Sequence, residues 1–513
     1  MTNNMDEKKK SLFESAPVLR AIFSLAIPSI IGQLILVIYN MADTFFIGMA
    51  CNPAIFGDAA MGSELVAGVT ICMPVYMFLS AISNLFGIGA ASVISRSLGK
   101  GNPWRAKHAS RFAFWGCLFT TVIYCLLAFL LVKPLANFLS GNPVGADIAP
   151  GSTAYHARTY ILFCVCIFGV PTALNTLFSH LMRAEGKSLH ASIGIALGGV
   201  LNVALDPLFM FAFFELKDAA MAAALATGVS NTIALIYYLV LFIAQKKKLV
   251  ISIKFSPKSF TEGIPGEVLK IGLPACLMTL CENISYMILD NLVGSVLLGS
   301  SSVAVIYGVE IDAKAALAGV GVAKKINMLA HSIVRGMTQG VLPLIGYNKT
   351  SGNRKRMARI VYVSGAISVG VAAICMVASL IFANGLSQIF VHDDSSIVSS
   401  MMFLRILCIG APFSAVAYTV ISFFQAVGKP WRSLILALLR KGILDIPLMY
   451  IFFAVAGKNV NLGPELIVMA TPIADVIACV TAIVMFLIYL KHNGQNKGQF
   501  AKPLPTQEEA KTA

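Results

Sequence analysis

The sequence predicts an all-α polytopic membrane protein whose twelve transmembrane helices form two pseudo-symmetric six-helix lobes. Three observations carry that prediction. Of 513 residues, 57% are hydrophobic and only 12% charged, with a mean hydropathy of +0.80, a balance that a water-exposed surface does not tolerate. Nearly charge-free runs of twenty or more residues recur along the chain, 112–132 and 219–244 among them, each long enough to cross about 30 Å of hydrocarbon as a helix. The two halves of the chain also repeat one another in order, roughly 240 to 250 residues apart. A membrane β-barrel would instead alternate apolar and polar residues over about ten-residue strands.

Hydropathy sets the spans, and Pro, Gly and charge set their ends. They fall at 19–49, 62–96, 108–132, 155–182, 190–214 and 219–245, then at 267–298, 312–345, 357–383, 398–427, 431–456 and 463–490. The chain divides accordingly into an N-terminal tail (1–18), a first lobe (19–245), a linker (246–266) that reads as lying partly along the membrane surface, a second lobe (267–490) and a C-terminal tail (491–513). About twenty polar residues precede the first apolar run, which therefore reads as a span and not as a cleaved leader. Basic residues alternate between loops. One set holds Lys8–Lys10, Arg96 to Arg111, Arg183, Lys187, Lys246–Lys248 and Arg354–Arg356; the other holds little more than Lys133, Lys217 and Lys458, beside Asp58, Glu64, Asp147, Asp393 and Asp394. The positive-inside rule places both termini and the linker in the cytoplasm, with the spans in the inner (cytoplasmic) cell membrane. The net charge of +15 is thereby a matter of topology, and no nucleic-acid partner is expected.

The repeat is legible residue by residue. Pro28 falls over Pro274 and Gly48 over Gly294, MRAEGKSLHASIGIAL over FQAVGKPWRSLILAL, and LNVALDPLFMFAFF over KGILDIPLMYIFF. Six helices return the chain to its starting side, so the repeats are parallel. Eleven cysteines lie mostly within apolar runs, without a C-x-x-C pair, and read as small buried hydrophobes. With no Walker loop, metal-spaced histidines or Ser/His/Asp set, neither an enzyme nor a cofactor is expected.

Ionisable groups at membrane depth require a partner or a task. In the first half, Asp43, Asp206 and Thr227 share a depth by the 1.5 Å rise of the helix, and Asn202 lies one turn from Asp206. Two carboxylates, an amide and a hydroxyl make a hard-oxygen site for Na+, or a like-charged pair in which one carboxyl holds a proton. The alternative is that both acids bond neighbouring backbone, aided by the carbonyl that Pro207 frees. Asn175 either extends a polar path inward or makes an interhelical hydrogen bond. The second half differs, with Glu282 and Asp290, then Lys324, Lys325 and Arg335, then Asp445 and Asp475. The lysine pair is expected to face a wet central cavity and to pair with one or more of those acids, which leaves structural pairing, substrate contact and a second proton site open. Met41, Met73, Met77 and Phe78 suit either an adaptable pocket or plain packing.

With Pro28 to Gly48, Asn202-x-x-x-Asp206-Pro207, Ala184-Glu185-Gly186, NLFGIGAASVISRSLG, NISYMILDNLVG and QGVLPLIGYN in view, the chain resembles the multidrug and toxic compound extrusion (MATE) transporters, MepA-like bacterial branch, over 18–490. The resemblance implies a V-shaped MATE/MOP-type pair of lobes. It also implies export of small organic, often cationic, compounds by antiport with H+ or Na+, by a monomer in the lipid bilayer. Pro28, which deletes one backbone hydrogen bond in mid-helix, is the candidate kink of the first span. The family's ion site maps onto Asp43, Asn202, Asp206 and Thr227. Glu282 and Asp290 fall on the helix where some relatives keep acids, whereas the Lys324–Lys325 pair departs from the family pattern. A lipid-linked sugar or precursor flippase of the same superfamily is the rival reading.

Overall fold

A computed structural model describes residues 7–49, 59–213, 218–298, 304–306, 309–391, 393–456 and 463–495. Asp58, Lys217, Lys458 and most of the C-terminal tail lie outside the described residues. The first lobe comprises α2 (Val18–Met49), α3 (Ala59–Gly99), α4 (Pro103–Leu130), the short α5 (Val132–Leu139), α6 (Thr153–Tyr160), α7 (Gly169–Ala184), α8 (Ser188–Pro207) and α9 (Ala219–Ala244), preceded by α1 (Glu7–Glu14). The second lobe has α10 (Ile264–Leu298), a hairpin of β1 (Ala304–Ile306) and β2 (Val309–Ile311), then α11 (Ala313–Thr350), α12 (Arg354–Gln388), α13 (Asp394–Ile409), α14 (Ala411–Ala426), α15 (Pro430–Leu438), α16 (Asp445–Ala456) and α17 (Gly463–Gln495).

Twelve spans emerge from these elements. Eight helices are single apolar spans, and α6 with α7, and α13 with α14, form two more that bend by 53° and 44°. The first bend follows a π-helical stretch at Ile161–Ile167; the second sits at Gly410, where Pro412 starts the next helix. The last two spans, α11 and the α15–α16 pair, carry charges that lower their hydropathy: the half-buried Lys324, Lys325 and Arg335 in one, the buried Arg440, Lys441 and Asp445 in the other. A second π stretch, Leu208–Phe213, follows Pro207, and a third, Leu439–Leu444, precedes Asp445. Both break the helix beside an acid. The helix through Pro28 is continuous from Val18 to Met49.

The lobes meet along two seams, α2 against α11 and α3 against α10. Glycine makes both seams close. A Cβ on Gly89 or Gly272 would collide with the carbonyls of Val268 and Leu85, and one on Gly336 or Gly340 with the backbone of Ile30 and Leu25. Polar ties reinforce the end that carries the N-terminus. Glu267 bridges Arg96 at 2.9 Å and Arg105 at 2.6 Å, and Thr350 Oγ1 donates to Arg96 O at 2.8 Å; deeper in the seam, beside the central cavity, Asn84 Nδ2 donates to Thr279 Oγ1 at 2.9 Å.

Two segments expected as tail and surface linker are instead built into this end. Phe13 of α1 is buried, packs on Tyr347 at 5.1 Å and closes over Gly186, whose φ of 78° and lack of a side chain admit the ring. Arg356 donates to the carbonyls of Leu12, Phe13 and Ala16 at 2.6–3.2 Å. The linker residues Leu249, Val250 and Ile251 are buried on the first lobe. Glu185 accepts the Ile251 amide at 2.6 Å, the Ser110 hydroxyl pairs with the Ser252 backbone, and Trp115 Nε1 donates to Ile253 O at 3.0 Å.

Gly272→Ala tests the seam. The added methyl has no room without separating α3 from α10, so it should lower stability by about 1–3 kcal/mol, read as a lower thermal midpoint in detergent, while Gly266→Ala, which faces open space, should leave the midpoint unchanged.

Candidate functional site

The first-lobe residues converge. Asp43 comes from α2, Asn202 and Asp206 from one face of α8, and Thr227 from α9, and all four are more than nine-tenths buried. Asn202 Nδ2 lies 3.1 Å from Thr227 Oγ1 and 3.4 Å from Asp206 Oδ1, tying α8 to α9. Asp43 and Asp206 are close enough to act on one another electrostatically. Three oxygens at this point, Asp43 Oδ1, Asp206 Oδ2 and Asn202 Oδ1, receive no hydrogen bond. Neither carboxylate caps a helix. A cluster rich in acceptor oxygens, two carboxylates, an amide carbonyl and a hydroxyl, fits a hard cation or a proton, because buried lone pairs without donors are unfavourable until something positive binds them.

Asn175 donates through Nδ2 to Asn231 Oδ1 at 2.8 Å, and Asn231 in turn donates to Thr227 O at 2.9 Å, so Asn175 connects α7 to the same turn of α9. Asn175 and Asn202 both open onto a cavity of about 230 Å³ between the lobes, which Tyr39, Glu282, Tyr286 and Arg335 also line. Met77 lines it as well. Phe78 rests against Tyr124 at 4.9 Å, and Met73 packs on an apolar cluster of the first lobe.

The second lobe compensates its acids internally. Lys324 pairs with Asp290, one of the acids expected to take the lysine pair, while the other three acids take different cations. Glu282 binds Arg335 at 2.6 Å, Asp475 binds Arg440 at 2.6 Å, and Asp445 binds Lys441 at 2.8 Å. Glu282 also accepts from Tyr418 at 3.2 Å, and Asp445 from Ser285 at 2.6 Å and Thr471 at 2.9 Å. Arg440 lies 4.4 Å over the Tyr418 ring and Lys441 5.3 Å over Tyr286. Arg440 and Lys441 escape a reading of the sequence by depth alone, although the internal repeat holds the signal. In it Asp445 falls over Asp206 and Lys441 over Asn202, while Thr471 and Thr227 are each the ninth residue of their helices. The second lobe thus matches three of the four positions, with a covalently attached cation in place of the amide, while Leu289 falls where the first lobe has Asp43.

Arg183, expected as a loop charge, is buried at the end of α7, with Nη1 3.4 Å from Ser179 Oγ. Asp393, one of two outer acids in the loop before the tenth span, caps α13 by accepting the Ser396 amide at 2.9 Å, and its hydrogen bonds to Ser396 hold its carboxyl below the usual range.

The two lobes should respond differently to neutralisation. Arg440→Gln leaves Asp475 as an uncompensated buried charge and should lower stability by about 3–5 kcal/mol. Asp43→Asn removes a charge that has no contacting partner and should leave the thermal midpoint in detergent unchanged or higher.

Comparison with known proteins places this geometry. The MatE family model matches residues 28–208 and 305–451, parts of both lobes. The Multidrug export protein MepA of Staphylococcus saprophyticus is 26% identical over 488 residues, covering 95% of this chain and 97% of the relative; that of Staphylococcus aureus strain MRSA252 is 26% identical over 456 residues, covering 88% and 91%. Among solved structures, a MATE in the straight conformation superposes with a TM-score of 0.79 at 20% identity, covering 95% of this chain and 99% of that one. On the family match, and on a twelve-helix fold shared from end to end, the chain belongs to the MatE family, and its similarity to MepA proteins places it in their branch.

Proposed function

We propose that this chain is a secondary active efflux transporter, expelling small organic compounds by antiport against Na+ or H+, with the coupling cation held by Asp43, Asn202, Asp206 and Thr227. As a multi-pass membrane protein of the MatE family it is a transporter and not an enzyme. The MepA relatives are named multidrug export proteins, which supports organic substrates of varied shape. Both termini lie in the cytoplasm on this reading, no cofactor beyond the coupling ion is required, and one chain suffices.

One observation carries the proposal. Asp445 of the second lobe already holds the ammonium of Lys441, whereas in the first lobe Asp206 meets only the Asn202 amide at Oδ1, and Asp206 Oδ2 and Asp43 Oδ1 receive no hydrogen bond. A mobile cation completes the first lobe as Lys441 completes the second. Its arrival removes the repulsion between Asp43 and Asp206 and lets α2 repack beside α8. Because α2 is also one side of the lobe seam, that repacking changes how the lobes meet and moves the central cavity from one membrane face to the other. The cavity's Arg335 is neutralised by Glu282, whereas Arg183, which also lines it, meets no acid among the described residues, so the flippase reading keeps one cation for an anionic headgroup.

The test is dye efflux from liposomes carrying the purified protein, driven separately by a Na+ gradient and by a pH gradient. One gradient should drive efflux, and Asp43→Asn or Asp206→Asn should reduce it at least tenfold with insertion intact; retained efflux in either variant refutes the assigned site.

A further inference from the structure

Lys325 has no role in the site as described, yet its position is specific. Its neighbour Lys324 is held by Asp290 and lies 5.5 Å over Tyr286, both within the second lobe. The register of the lobe seam points Lys325 the other way. Gly340 meets Ala26 and Gly336 meets Ile30, so α2 and α11 run antiparallel, advancing four residues on one for four on the other. Eleven residues further, about three helical turns, Lys325 comes opposite Met41, with Asp43 two residues on. The charge of the opposite lobe that acts on Asp43 is Lys325, and Asp43 is among the charges that act on Lys325. No ion-pair contact closes between them, and Asp43 Oδ1 has no donor.

We propose that Lys325 is a tethered counter-cation of the first-lobe site, competing across the lobe seam with the mobile cation for Asp43. The second lobe shows the closed form of such an arrangement, Lys441 on Asp445 at 2.8 Å. There the lysine and acid sit four residues apart on one chain segment and stay together. Lys325 and Asp43 sit on different lobes, so their attraction depends on how the lobes are docked. With the site empty, the ammonium and the carboxylate draw α11 and α2 together. A cation on Asp43 cancels that attraction, and the release is felt on the opposite lobe. Lys325 thereby sets the ion affinity and passes occupancy between lobes.

The inference rests on Asp43 being the cation site, and its test is separable from that reading. Lys325→Gln removes the competitor, so the coupling ion should bind more tightly. Half-maximal Na+ for dye efflux should fall roughly fivefold. For proton coupling, the pH of half-activation should move alkaline by about 0.7 unit, the same fivefold on a logarithmic scale. The direction follows because the lost positive charge favoured the ionised carboxyl. The other groups acting at this point, Tyr39 of α2, Tyr76 of α3, Tyr160 and Cys164 of the fourth span and Asp206 of α8, are unaltered by the substitution. Lys325→Arg keeps the charge and should hold the wild-type value; should Lys325→Gln insert poorly, Lys325→Met, which keeps an apolar stem, carries the same expectation. If Asp43→Asn abolishes ion-driven efflux but Lys325→Gln leaves half-saturation within about twofold of wild type, the tethered cation is wrong and the site stands. If Asp43→Asn leaves efflux intact, both fall.

Discussion

Compensation of charge in a low-dielectric interior is the constraint from which the rest of the structure follows. A carboxylate taken out of water must meet a cation, a proton or several donors, and the two lobes meet this demand in opposite ways. The second lobe is self-contained, with Glu282 on Arg335, Asp475 on Arg440 and Asp445 on Lys441, backed by the rings of Tyr418 and Tyr286. The first lobe leaves Asp43 and Asp206 without contacting cations. One half is therefore electrostatically finished by its own side chains, and the other is finished by whatever positive species reaches it. The two related lobes thus differ as a fixed partner and a responsive one.

That division matters mechanically because the responsive site lies on α2, and α2 is shared between the site and the seam. Small residues let α2 and α11, and α3 and α10, approach at backbone distance, and polar ties between lobes reinforce the end bearing the N-terminus, around Glu267 and Thr350. Phe13 and Arg356 add a short helix to the same end. Close-packed seams of this kind have discrete arrangements and do not deform continuously, so a change of charge at Asp43 is transmitted as a change in docking. Lys325, facing Asp43 from the other lobe, makes the seam itself sensitive to that charge.

Much of this is legible in the amino-acid sequence. Apolar runs, ended by Pro, Gly and charge, locate the spans within a few residues, including the two whose hydropathy is lowered by Lys324, Lys325 and Arg335 and by Arg440, Lys441 and Asp445. Depth counting brings Asp43, Asp206 and Thr227 to one level, and the i, i+4 spacing puts Asn202 beside Asp206. The partners of the second-lobe acids are not found that way. Depth says which residues share a layer of the membrane but not which way each points around its helix, and the π stretch at Leu439–Leu444 rotates Arg440 and Lys441 away from the ideal helical phase. The docking of α1 and of the linker is also hidden, since a polar segment beside a membrane carries no periodic signal of what it will cover.

By itself the sequence determined the number of spans, their parallel repetition and the identity of the acids at membrane depth, because hydrocarbon thickness and the expense of buried charge act on composition and spacing alone. Only the tertiary structure decided which acids are satisfied and which are left open. That outcome depends on the azimuth of each helix and on contacts between residues such as Arg335 and Glu282, or Lys441 and Asp445, which meet through helix packing and not through any property of one residue read in line.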